Sequence, residues 1–153
     1  MMAWSAVVID DRRPCRVFDR VMRRFAKAFV YRGDVDLEQK ARKLKAEAER
    51  GKPQFVEDPD AVVVVSTFPD PGLKGEPFYS AEWKTGVEGA GELARRIIAN
   101  LPSGRFEDEK ERLRRALEAA GVEKVIVVDL APRRAKYLER ALKELGRTLR
   151  GGP

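Results

Sequence analysis

Two aromatic rings and a Glu-x-Lys pair share one short stretch, Phe78 to Thr85, FYSAEWKT. With the period of two of a strand, Tyr79, Ala81 and Trp83 take one face and Phe78, Ser80, Glu82 and Lys84 the other. Tyr79 and Trp83, with only Ala81 between them on that face, make a flat platform for unpaired bases, and each stacked base is worth about 1–3 kcal/mol. Phe68 and Phe78 are further rings within reach. Cations for phosphates come from Lys84, from Lys74 in the preceding loop, and from Arg12, Arg16, Arg20 and Arg24. These residues describe a binder of single-stranded DNA or RNA with little sequence preference.

The opposite face of the same stretch supports different chemistry. Pro59-Asp60, a valine run, and then Glu82-Trp83-Lys84 resemble the PD-(D/E)xK pattern of metal-dependent nucleases. That resemblance implies Asp60 and Glu82 as Mg²⁺ ligands and Lys84 as the group that orients the attacking water. The pattern has low specificity, since Glu38-Gln39-Lys40 repeats it on an expected helix, where it has no such meaning. A third reading is a non-catalytic structural or oligomeric interaction module using the leucine seam, and core burial of Tyr79 and Trp83 under a helix would remove the stacking platform. Which face meets solvent decides among the three.

The elements that must position these residues follow from periodicity. Val62 to Val65, an unbroken β-branched run between Pro59 and Pro69, reads as a central strand, and the Pro69 to Pro77 loop joins it to the aromatic strand. Trp4 to Ile9 reads as a first strand closed by Asp10 and Asp11, either of which can cap a helix whose first turn tolerates Pro14. Val17, Phe18, Val21, Met22, Phe25 and Phe29 then recur at helical spacing. On that expected helix Arg12, Arg13, Arg16, Arg20, Arg23, Arg24, Lys27 and Arg32 are opposed only by Asp19, a footprint for phosphates.

Asp36 with Gln39 is a capping-box pattern opening a helix with a Leu37, Ala41, Leu44, Ala48 stripe, ended by Gly51. The glycines of TGVEGAGEL lead into a helix burying Leu93, Ala94, Ile97, Ile98 and Leu101, and their spacing matches no nucleotide-binding fingerprint. A further helix spans about Phe106 to Ala120, stopped by Gly121, and Val125 to Val128 is a last strand. Ala135, Leu138, Leu142, Leu145 and Leu149 form a heptad seam, a face for sheet packing or for a homo-oligomer. The expected order is β-α-α-β-β-α-α-β-α: an α+β fold with a small four-stranded mixed or antiparallel sheet and about five helices.

The chain of 153 residues fits one domain over 1–150 with a disordered tail at 151–153. Histidine is absent and Cys15 is the single cysteine, which excludes an intrachain disulfide and a Cys/His zinc site. No metal or other cofactor is implied, and a histidine-based hydrolase is excluded. With no apolar run of 18 residues and no secretory signal, a cytoplasmic protein without a membrane partner is expected. The net charge of +6 suits a polyanion, and 37% charged residues, rich in Glu, Lys and Arg, match the balance of hyperthermophile proteins.

In element order, in the aromatic YSAEW strand, in basic balance and in the C-terminal leucine stripe, the chain resembles the ThermoDBP and ThermoDBP-related proteins of hyperthermophilic archaea. That resemblance implies single-stranded DNA held in a hydrophobic, basic-edged cleft, and in some members oligomers joined by a C-terminal helical zipper.

Overall fold

Burial on both sides of the first strand sets the layers. Strand β1 (Trp4–Pro14) buries Ala6 and Val8 on one face and Val7 and Ile9 on the other, so both faces of the sheet must be roofed. The computed structural model describes residues 3–14, 22–51, 56–68, 83–101, 109–130 and 143–145. Strand β2 (Met22–Arg32) runs antiparallel to β1, and β3 (Val62–Phe68) runs antiparallel to β2. Strand β4 (Val122–Asp129) lies parallel to β1 on its other side, giving a mixed four-stranded sheet of order β3-β2-β1-β4. Helix α1 (Leu37–Arg50) covers one face, while α2 (Ala90–Ala99) and α3 (Glu109–Ala119) cover the other. The α+β class and the four-stranded mixed sheet expected from the sequence are present.

The helices form where their signals lie. The Asp36 carboxylate accepts the Gln39 N–H at 3.1 Å and caps α1, whose Leu37, Ala41, Leu44 and Ala48 pack on Val7 and Phe29 of the sheet. In α3, Leu113, Ala116 and Leu117 are fully buried against Ala6, Val8, Ala26 and Ala28. Gly121, at φ +95°, makes the left-handed turn that stops this helix and starts β4, as its position in the sequence suggests.

The first third departs from expectation. The helix expected over Pro14 to Phe29 is, within the described residues, the end of β1 and the strand β2, and Asp10 and Asp11 lie in β1 as strand residues. The reason is burial from two sides. In β2, Ala26, Ala28 and Val30 face α2 and α3, while Lys27, Phe29 and Tyr31 face α1, so the period-two pattern is erased. The three- and four-residue spacing of Met22, Phe25 and Phe29 then imitates a helix. Burying each large apolar side chain contributes about 1.5–3 kcal/mol, more than the few tenths by which helix propensities differ.

The valine strand also moves. Expected at the centre, β3 is an outer strand of the described sheet, yet Val62 and Val64 are fully buried because α2 and α3 reach across it. The aromatic strand expected over Phe78 to Thr85 lies outside the described residues as far as Glu82, and Trp83 to Thr85 are not strand. The leucine seam and the 151–153 tail also lie outside, apart from residues 143–145, which are helical.

Candidate nucleic-acid interface

β1 and β2 stay paired beyond their neighbours. Pairing of β1 with β4 stops at Asp10 opposite Asp129, and pairing of β2 with β3 stops at Arg24 opposite Phe68. The two-stranded ribbon continues through Arg12 opposite Arg24, Arg13 opposite Arg23 and Pro14 opposite Met22. Phe68, Arg24 and Arg12 therefore occupy one row across three strands, spanning about 10 Å at the ~4.8 Å strand spacing. Three positions chosen from sequence as ligand-binding are brought together by register.

Like charges directly opposite one another in an antiparallel pair destabilise it, and here two such pairs are consecutive. The row behind contains Ser66, Ala26 and Asp10 in register, all buried, with exposed Asp129 at its end. Asp129 lies 3.7 Å from Lys110 in the first turn of α3, and Arg112 of that helix is 1% exposed. In register these two rows carry Arg12, Arg24, Asp10 and Asp129, and Lys110 of α3 lies beside Asp129.

The helical reading selected Arg12, Arg16, Arg20 and Arg24 because four-residue steps share a helix face. In a hairpin the relevant sets are Arg12 with Arg24 and Arg13 with Arg23, so Arg13 and Arg23 were passed over as site residues. The signal was in the sequence, since both pairs are equidistant from Phe18. Lys27 leaves the phosphate footprint altogether: it is 6% exposed, and its Nζ donates to the Val56 carbonyl at 2.6 Å. Arg32 sits opposite Trp4, eight residues and roughly 26 Å along β1 from Arg12 at a ~3.3 Å rise. There its guanidinium lies 5.7 Å from the Trp4 ring and donates to the Glu88 carbonyl at 3.1 Å.

The remaining expected site residues are dispersed. Trp83 is half-buried against the core beneath α2 and α3, and Lys84 beside it is exposed. Tyr79, Phe78, Lys74, Glu82, Arg16 and Arg20 lie outside the described residues. Asp60 is exposed before β3, 3.8 Å from Lys40 on α1, across the sheet from the core on which Trp83 packs. Among the described residues, no three His, Cys, Asp or Glu side chains are grouped to hold a metal ion.

Asp58 organises the polar corner beside Asp60. Its carboxylate accepts from the Tyr31 hydroxyl at 2.8 Å, Lys40 Nζ at 3.2 Å and the Asp60 N–H at 3.0 Å. Burial, the largest influence, pushes its pKa up, but the Asp60 N–H, Tyr31 and Lys40 together outweigh it and hold the carboxyl below its usual range. Burial and the Asp58 carboxylate push the Tyr31 phenol far up, so it remains a donor. Because the folded Asp58 pKa is depressed, its contribution to stability is complete above about pH 4 and is lost as pH falls through the lowered value. Urea unfolding at pH 7 and pH 3 is expected to show a smaller acid-induced loss in Asp58→Asn than in the parent. An equal loss in both places the sensitivity elsewhere.

No family model, curated protein or solved structure matches this chain.

Proposed function

We propose that the chain binds single-stranded nucleic acid at the ribbon end of the sheet. What supports this best is the register, which sets the positions of Arg12, Arg24 and Phe68 in one row on three adjacent strands. Arg12 and Arg24 contact successive phosphates, whose negative charge removes the cost of setting the arginines face to face. A base stacks on Phe68. Tyr79, Phe78, Lys74, Trp83 and Lys84 are the further candidates from sequence, with Trp83 and Lys84 on the segment leading into α2. The activity is binding without catalysis, in the cytoplasm, and is in line with the resemblance to the ThermoDBP-related proteins. No described helix is long and apolar enough to cross a membrane.

The test is fluorescence anisotropy of a labelled oligothymidylate at increasing salt. The expected result is tight binding at low ionic strength that weakens with a log–log slope of at least about −1.4, from two phosphates at about −0.7 each. Absence of binding at micromolar protein and low salt overturns the reading.

A further inference from the structure

The stripe that packs α1 on the sheet, Leu37, Ala41, Leu44 and Ala48, turns Gln39, Arg42 and Lys43 to solvent and sets half-buried Lys40 at the flank. These four residues line a groove of about 540 Å³, a size within the range of small-molecule sites. Side chains three and four positions apart on a helix are neighbours, so Gln39 stands between Arg42 and Lys43, and Lys43 beside Lys40.

The three cations differ in what holds them. Lys40 Nζ lies 3.2 Å from Asp58 and 3.8 Å from Asp60. Lys45, further along the helix, is paired with Glu49. Among the described residues, Arg42 and Lys43 have no hydrogen-bond or ion-pair partner, although Glu38 and Glu47 stand four positions from them. Of the two acids beside Lys40, Asp58 is buried and accepts from three donors, whereas Asp60 is exposed and makes the longer ion pair. An anion entering the groove therefore meets one carboxylate that is free to turn to solvent.

We infer that this groove is a binding site for a compact polyphosphate, a di- or triphosphate. The planar fork of Arg42 donates two N–H groups to one phosphoryl group, the Lys43 ammonium meets the next, and the Gln39 amide donates between them. Consecutive residues diverge by about 100° round a helix, so linked phosphoryl groups match the two cationic heads better than a single phosphate does. The described lining carries no ring on which a base could stack, so the ligand is selected by charge. The inference is independent of the strand-binding reading, since it uses no residue of the ribbon.

Isothermal titration calorimetry of the full chain with inorganic triphosphate at low salt tests it, with one site per chain expected. Arg42→Ala/Lys43→Ala is expected to weaken binding about tenfold through the loss of two exposed charge contacts. Alanine is the best helix former, so α1 keeps its structure, which circular dichroism checks. Asp60→Asn is expected to strengthen binding about two- to fivefold, because it removes the carboxylate that competes for Lys40. Unchanged affinity in either variant overturns the proposal, as does absence of binding at millimolar triphosphate. Oligothymidylate identifies the source of the phosphates. If it displaces triphosphate and itself loses affinity in the double variant, the groove takes the backbone of a strand and the assignment to a compact polyphosphate falls.

Discussion

Replacing Arg12 and Arg24 together by alanine is expected to reduce the salt dependence of oligothymidylate affinity by about 1.4 log units per log unit of salt. The figure follows from two phosphate contacts, each worth about 0.7 on a single strand. Relative to a 1 M reference, affinity in roughly 0.1 M salt falls about 25-fold. The effect on the fold distinguishes this from a structural role. Arg12 and Arg24 are cross-strand partners of like charge, so removing either relieves repulsion and raises stability by a few tenths to about 1 kcal/mol. Binding and folding thus move in opposite directions, as at sites where function is held against stability. Arginines neutralised inside the protein give the reverse result, a lower urea midpoint with an unchanged salt slope. Anisotropy and urea unfolding on the same two single variants and the double variant separate the cases.

The reason this pairing was not legible in the sequence is the same one that hid β2. A strand covered on both faces loses its alternation, and the apolar residues left at three- and four-residue steps satisfy a helical template equally well. Met22, Phe25 and Phe29 did so, and the arginines between them were sorted by helix face. Only the register, which places Arg12 beside Arg24, converts that charge run into two discrete pairs. Lys27 shows the limit of charge patterning most clearly, since a lysine inside a basic run is buried with its Nζ on the Val56 carbonyl.

Where one face alone is buried, the reading held. The Asp36 cap, the α1 stripe from Leu37 to Ala48, the α3 stripe of Leu113, Ala116 and Leu117, and the Gly121 stop are all observed. Fold class was legible for this reason: a helix is amphipathic in its own sequence. Strand order was not, because the position of β3 at the outside depends on which partner β2 accepts, and four consecutive valines fit either an outer or a central place. The candidate site follows the same division, with Phe68, Arg12 and Arg24 identified as types but not as neighbours.

The largest expected loss of stability lies directly behind the Arg12–Arg24–Phe68 row. Asp10 and Arg112, 2% and 1% exposed, are the buried carboxylate and buried guanidinium on the α2–α3 side of the sheet among the described residues. Asp10 is the register partner of Asp129, which lies 3.7 Å from Lys110, and Lys110 and Arg112 are both on α3. The sheet on this side includes Ala6, Ala26 and Ala28, all fully buried. Each charge is buried, so Asp10→Ala and Arg112→Ala each remove one side of a buried electrostatic balance and are each expected to destabilise the protein by about 3–5 kcal/mol. Asp10→Leu/Arg112→Met removes both charges while keeping volume, and is expected to recover most of that loss, because an apolar pair carries no desolvation penalty. Urea unfolding of the two single variants and the double variant measures this. A double variant as unstable as the sum of the singles shows that the two charges are not coupled and that each is balanced by a different neighbour.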